Sequence, residues 1–321
     1  MLSTRFTELV GSEIPLQQAP MGLVAPPGLA LAVARAGAVG TVSAPIGAEP
    51  QALAAQLDAQ LDVSAGVLAV NFITEQVDPA AVAVAGARAR IVDFFWNTPH
   101  AKLVDAAHEG GALVNWQVGS LPEAVLAVEA GADLVTVQGR EAGGHVRGDT
   151  ALLPLLAAVL RAVDVPVLAA GGIAEPRALA AVLVAGAAGA RIGTRFLAVS
   201  ESGTHPEYVL ALLAAGPEST EITDGFAECP MCATSPRARV LRSAIEAVAA
   251  VEGEVGTVAT GAGDQSLPPR AGLPPHKDVH GQIHAMALYA GSGVEHVTAV
   301  RPAAEVVREL AEGAESLLRS W

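Results

Sequence analysis

Asp133-Leu134-Val135-Thr136-Val137-Gln138-Gly139-Arg140-Glu141-Ala142-Gly143-Gly144-His145 is the stretch on which the reading of this chain turns. Its first part is a short, apolar, partly β-branched run that reads as a buried strand. Its second part is a glycine-rich loop ending on a histidine, and a helix-like segment starts only after Gly148-Asp149-Thr150. Strand, loop and helix in that order make one β/α unit, with a histidine at the carboxyl end of the strand. Glycines let backbone approach a ligand closely and accept positive φ at little cost. Histidine, with an unperturbed pKa of about 6.5, can move protons at neutral pH. The plainer alternative is a turn whose histidine faces water.

Outward from this unit the pattern repeats. Apolar runs near Gln17–Leu23, Ala38–Ser43, Gly66–Phe72, Arg90–Phe95, Ala112–Val118, Asp133–Gln138, Val165–Ala170 and Gly189–Ile192 read as strands. Helical stretches lie between them, near Pro27–Ala36, Pro50–Leu61, Pro79–Ala87, Pro99–Glu109, Pro122–Ala130, Leu152–Val163 and Pro176–Ala185. Several open with Pro, whose missing N–H costs nothing in the first turn, and several close on Gly. Strict alternation implies parallel strands with helical crossovers. Eight strands predict an α/β fold, a (β/α)8 TIM barrel, with an open doubly wound sheet as the alternative. No G-x-G-x-x-G follows the first strand, which weakens a dinucleotide-binding reading.

The expected barrel spans residues 1–215, with His205–Ala215 a candidate for its eighth helix. Residues 216–300 are expected to form a helix- and loop-rich C-terminal subdomain at the barrel mouth, helical over Arg237–Val251 and a loop over Gly261–Pro275. Residues 301–321 are expected to form a helix packing back on the barrel.

The 321 residues are 51% hydrophobic, rich in Ala, Val and Leu and poor in aromatics, a mixture suited to close helix-on-sheet packing. A formal net charge of −14 argues against nucleic acid or an anionic membrane as partner. Neither a signal peptide nor a membrane span is apparent, and two cysteines cannot make a disulfide framework. The expectation is a cytoplasmic protein acting on a small molecule, with a homodimer allowed for.

Barrels bind ligands at the carboxyl ends of their strands, with phosphate commonly held after the seventh and eighth. Here those ends read Ala169-Ala170-Gly171-Gly172-Ile173 and Arg191-Ile192-Gly193-Thr194-Arg195-Phe196. Glycine amides and a threonine hydroxyl at both ends predict an anion pocket. At the first strand's end, Ala19-Pro20-Met21-Gly22 offers exposed backbone and a thioether to a flat ring. Asn71, Gln117 and Gln138 place amides at three further strand ends, able to address the carbonyls and ring nitrogens of a flavin or merely to cap their own loops.

Gln138 to His145 resembles the Q-G-x-E-A-G-G-H signature of the nitronate monooxygenase (2-nitropropane dioxygenase) family. Ala19-Pro20-Met21 with Leu29–Gly40, the run Pro166–Ser202, Pro236–Leu241 and Tyr289-Ala290-Gly291-Ser292-Gly293 resemble that family in the same order. The resemblance implies an FMN-binding barrel with His145 as catalytic base. It implies flavin contacts at Met21, Gly22, Asn71, Gly171, Gly172, Gly193 and Thr194, to which Gln117, Gln138, Gly143 and Gly144 are added as candidates. Ser292 is the substrate-binding candidate, standing where the family often has glutamine. Gly22 also departs, following Met21 without the usual second small residue. The implied activity is oxidation of nitroalkanes or nitronates to carbonyl compounds and nitrite with oxygen. Flavin-dependent NAD(P)H:quinone and enoyl-thioester reductases carry a similar motif set and are the alternative, and a non-catalytic flavin-binding protein is the second.

Two further signals are weighed and declined. Cys229-Pro230-Met231-Cys232 has C-x-x-C spacing, and His276, His280 and His284 recur every four residues. Together they would complete a zinc site, but Pro274-Pro275 and Gly281 break the helix that would align the histidines, so no metal is expected. Arg140, Glu141 and Arg147 are read as solvated loop charges.

Overall fold

A computed structural model describes residues 2–73, 77–96, 98–229, 236–261 and 263–320. Six parallel strands come first: β1 (Leu16–Gln18), β2 (Gly40–Ser43), β3 (Leu68–Phe72), β4 (Ile91–Phe94), β5 (Leu113–Val118) and β6 (Leu134–Gln138). A two-residue strand β7 (Gly144–His145) precedes the last two barrel strands, β8 (Val167–Ala170) and β9 (Gly189–Ile192). Their order is β1-β9-β8-β6-β5-β4-β3-β2. A parallel bridge between Gln17 and Val39 joins the two ends, Gln18 N–H donating to Val39 O and Val39 N–H to Leu16 O, both at 2.9 Å. The fold is therefore the expected (β/α)8 barrel. The first strand is shorter than its apolar run suggests, because Pro20 has no N–H for a ladder and Gly22–Val24 turns as a 3-10 helix.

Helices α1 (Arg5–Val10), α2 (Pro27–Arg35), α3 (Pro50–Gln60), α4 (Pro79–Gly86), α5 (Ala101–Glu109), α6 (Leu121–Glu129), α7 (Leu152–Leu160) and α8 (Pro176–Val184) follow in chain order. From α2 onward they form the outer ring. Small residues let them lie close: a Cβ on Gly40 of β2 would stand 1.9 Å from the carbonyl oxygen of Ala30 in α2. α1 instead closes the barrel's amino-terminal end. Its Phe6 and Val10 pack with Val39, Ala69, Ile91, Leu134 and Leu168, one inward residue from each of several strands.

Above that apolar floor the barrel interior turns polar. Asn71, Asp93 and Asn115 share one register row of β3, β4 and β5, and the next row, Phe72, Phe94 and Trp116, belongs to the core shared with the helices. Alternation along the strands thus separates a polar inside from an aromatic outside. Arg191 of β9 reaches across the interior to an ion pair with Asp93, with side chains 1% and 0% exposed. Gln17 joins it, donating to Asp93 Oδ2 at 2.7 Å and accepting from Arg191 Nη2 at 3.0 Å. Burial raises the Asp93 pKa, and the Arg191 guanidinium opposes that rise.

Between β9 and the last helix lies the mouth region: α9 (Pro206–Leu213), β10 (Thr220–Thr223), β11 (Ala238–Leu241), α10 (Arg242–Val248), β12 (Gly256–Thr260), β13 (Gly263–Leu267) and β14 (Val279–Gly281). The region expected to be helical and looped therefore also carries two small antiparallel sheets, β10-β11-β7 and β13-β12-β14. Residues 238–241, expected in a helix, are extended because they pair with β10 and with the histidine loop. Residues 263–267, expected in a loop, pair with β12. Tyr208 and Leu212 of α9 pack into the mouth region's own core. The place of the eighth ring helix goes instead to α11 (Ala303–Arg319), which packs against α8 and α2. Arg195, just past β9, pins α11 through Glu309 at 2.9 Å.

Replacing Phe6 with Ala opens a cavity under the barrel where no strand can collapse to fill it. It should cost about 3–5 kcal/mol, seen as a lower urea midpoint at unchanged slope. A midpoint within error of wild type would show that α1 is not a structural floor.

Candidate active site

A cavity of about 690 Å³ opens at the carboxyl ends of the barrel strands, roofed by the mouth region. It is bordered mainly by apolar side chains and glycine backbone, with a few polar groups, the usual make-up of a small-molecule site. Met21, Gly22, Gln117, Gln138, Gly143, Gly144, His145, Gly171, Gly172, Gly193 and Thr194 all line it. Asn71 does not. It is fully buried one row deeper, its Nδ2 3.5 Å from Asp93 O and its Oδ1 without a partner among the described residues. Ser292 does not line it either. Its neighbours Gly291 and Gly293 do, while Ser292 borders a separate depression with Glu218, Thr220, Arg239 and Arg242.

The glycine loops interlock. Gly171 and Gly172 have φ of 116° and 70°, in the range that favours glycine. A Cβ on Gly143 would stand 2.5 Å from Gly291 N, so this loop and the 291–293 turn meet backbone to backbone. Ser292 N–H donates to Glu141 O at 2.9 Å, and Gly291 N–H donates to Thr194 Oγ1 at 3.0 Å. Beside Gly193 the nearest atoms to an added Cβ are Ala19 Cβ at 3.5 Å and Met21 Sδ at 3.6 Å. Four strand ends and the mouth region thus build one wall, largely of main chain.

His145 is held by both backbone and side chains. β7 pairs with β11, Gly144 opposite Arg239 and His145 opposite Ala238, which the sequence alone shows only as a loop. Gln138 donates from Nε2 to His145 O at 2.9 Å and accepts from Arg147 N–H at 3.1 Å, so both ends of its amide brace this loop. The His145 ring lies edge-on to Trp96, centroids 5.4 Å apart, and tilted against Tyr289 at 5.6 Å. Its Nε2 is 3.5 Å from Cys229 Sγ. Burial lowers its pKa to about 4, leaving a neutral imidazole across the neutral range.

Of the three flanking charges Arg140 is exposed, as expected, whereas Arg147 and Glu141 are partly buried and bonded. Arg147 donates from Nε to Glu123 Oε1 at 2.6 Å and from Nη1 to Trp96 O at 3.3 Å, its guanidinium 5.7 Å from the Trp96 ring centroid. The Glu141 carboxylate accepts the Leu152 N–H at the start of α7, at 3.0 Å and 3.2 Å. Trp96 and Tyr289 are the residues that sequence reasoning passed over. Trp96 carried a signal, a third aromatic at the end of β4, and Tyr289 heads the Y-A-G-S-G run. No cluster of three or more potential ligands that could hold a metal occurs among the described residues, and Cys232 lies outside them.

These features define a (β/α)8-barrel enzyme with a glycine-lined mouth and a desolvated, neutral histidine. The nitronate monooxygenase family model matches residues 68–313. A Mycobacterium tuberculosis protein, (3aS,4S,5R,7aS)-5-hydroxy-7a-methyl-1-oxo-octahydro-1H-indene-4-carboxyl-CoA dehydrogenase, is 36% identical over 69% of this chain, and the match spans 63% of that relative. The nitronate monooxygenase npaC of Metarhizium robertsii is 31% identical over 94% of this chain and 91% of its own. A nitroalkane oxidase from Streptomyces ansochromogenes superposes with a TM-score of 0.77 at 26% identity, over 99% of both chains. The chain belongs to the nitronate monooxygenase family, a family of oxidoreductases.

The lowered His145 pKa has a thermodynamic consequence. An unfolded histidine titrates at about 6.5, so between there and about 4 the unfolded chain binds more protons than the folded one. Stability from this group is complete above the unfolded value and is lost as pH falls towards 4. The loss should total about 3 kcal/mol. Urea titrations of the ligand-free protein at a series of pH values should show this slope in wild type and a shallower one in His145→Gln. Identical slopes would mean that His145 is not desolvated.

Proposed function

We propose that this protein binds FMN in the barrel mouth and oxidises nitroalkanes or nitronates, with His145 as the base. The observation that carries the reading is a half-buried, desolvated and neutral imidazole on the wall of a cavity lined otherwise mainly by apolar side chains and glycine backbone. The residues fit an FMN. Gly171, Gly172, Gly193 and Thr194 would hold its phosphate: Gly171 and Gly172 have positive φ, and the three glycines have no Cβ to cover their N–H groups from an anion. Met21 and Gly22 would lie against its ring. Gln117 would approach the ring's polar edge, whereas Gln138 spends both ends of its amide on the His145 loop. FMN would supply the redox step, with oxygen as final oxidant and a carbonyl compound and nitrite as products.

The chain's own part is proton transfer and desolvation. His145 would accept the proton from the carbon bearing the nitro group, leaving the nitronate anion. Its low pKa keeps the imidazole free to accept at any pH above about 4, and also means that the proton is readily passed on. Trp96 and Tyr289 hold the ring's plane and exclude water from its faces. A second reading is favoured by the 36% identical relative named as a carboxyl-CoA dehydrogenase: the same proton site could serve FMN-dependent chemistry next to a thioester carbonyl, with a nicotinamide exchanging hydride. Anaerobic reduction of the bound flavin by a nitronate, compared with NADH, separates the two.

His145→Ala should slow turnover of a neutral nitroalkane by about 10²–10⁴-fold, the usual contribution of a general base. Oxidation of the preformed nitronate, which has no proton to lose, should fall far less. Flavin content is measured first, and it should match wild type because the phosphate cradle lies on other strand ends. Equal losses on both forms would make His145 a shaping residue rather than a base.

A further inference from the structure

Among the described residues that line the cavity, Arg191 carries the one arginine or lysine side chain. The sequence pointed to Gly193 and Thr194, two and three residues further on, and passed Arg191 by as part of a strand. The other charged side chain in the lining, Glu228, lies at the rim, with Arg270 3.8 Å from it. Arg191 is held at the barrel end of the cavity by Asp93, by Gln17 and by Gln117, whose Oε1 accepts from Nη1 at 2.9 Å. Its Nε has no partner among the described residues. Asp93 does not line the cavity, whereas Arg191 does and its guanidinium bonds Gln117, another lining residue, so the cation is the nearer of the two charges.

We propose that Arg191 is the cation that stabilises the negative charge a flavin bound in this cavity gains on two-electron reduction. This rests on the flavin reading given above. A reduced flavin is an anion at neutral pH: two electrons and one proton enter the ring system, and the excess charge falls on its pyrimidine half. A fixed cation beneath a cavity shielded from water favours that anion over the neutral oxidised ring, because a low-dielectric site weakens charges little and needs no reorganisation. The guanidinium is already oriented by Asp93 and the two glutamines, so it has no freedom left to lose. A purely structural arginine would hold β9 to β4 with no effect on the cofactor's redox equilibrium.

The test is the midpoint potential of the FMN-loaded protein, measured anaerobically against a reference dye without substrate. Arg191→Gln should lower the preference for reduced over oxidised flavin by about tenfold, a fall of about 30 mV for a two-electron couple. Arg191→Lys, which keeps the charge, should recover most of it. Asp93→Asn breaks the same ion pair but leaves the cation, so its potential must not fall. If burial leaves Arg191→Gln unable to fold, the double variant Asp93→Asn/Arg191→Gln, with a neutral hydrogen-bonding pair, should show the same fall. An unchanged potential without Arg191, or an equal fall in Asp93→Asn, would overturn the proposal while leaving the flavin reading intact. Wild-type protein that takes up no FMN would instead overturn the flavin reading, and the proposal with it.

Discussion

The rest of the structure is arranged around the buried pair of Arg191 and Asp93. Two charges in a barrel interior are tolerated when they meet each other and most polar atoms around them are also matched; among the described residues Arg191 Nε and Asn71 Oδ1 are the buried exceptions here. That requirement reaches most of the strands. Gln17 bridges the pair and Thr41, Asn115 bonds Gln17 and Thr136, and Gln117 accepts from the far side of the guanidinium. A strand displaced by one residue would turn its polar side chain outward into the helix layer and strand its partner inside. The network therefore fixes register for β1, β2, β4, β5, β6 and β9 together. It also divides the barrel into a floor that packs on α1 and a mouth that is free to bind.

The mouth is closed by chain that the barrel does not need. About a hundred residues intervene between β9 and the helix that completes its β/α unit, and they return a strand, β11, to pair with the two residues of β7. This pairing makes a histidine on a glycine-rich loop into a histidine on a sheet. It also brings Tyr289 and Cys229 against the ring, and the resulting loss of water is what lowers the pKa. The environment of His145 is thus a product of the mouth region, while the glycine-lined strand ends are a product of the barrel.

How much of this the sequence reveals follows from how local each feature is. The strands and ring helices were legible, because the apolar alternation, the opening prolines and the closing glycines all act within a few residues. That the glycines after β8 and β9 lie at strand ends on the cavity wall was legible for the same reason, because each follows directly on its strand. What escaped was non-local. Residues 238–241 carry a helix-like composition and become a strand only because β7 and β10 are there to pair with. The eighth ring helix lies over a hundred residues from its strand, so the nearer helical segment, α9, stood in for it. Amides were the hardest, since Asn71, Gln117 and Gln138 look alike on strand ends and differ only in their partners across the barrel.

The same distinction explains the strain beside the histidine. Trp96 has φ of 81°, a left-handed backbone that a bulky side chain adopts at a cost of order 1–3 kcal/mol. Nothing in its own neighbourhood of sequence requires this. The conformation persists because Arg147 holds it from outside, donating to the Trp96 carbonyl and facing its ring, while Glu123 of α6 holds Arg147. Glu123 also accepts the Gly119 N–H at 2.8 Å, tying the brace to the end of β5. Arg147 is two residues from His145, so a single guanidinium sets both the aromatic wall and the loop that carries the imidazole. The strain at Trp96 is the cost of placing a rigid ring where it shields the histidine, and it is borne by an ion pair that belongs to the scaffold rather than to the cavity.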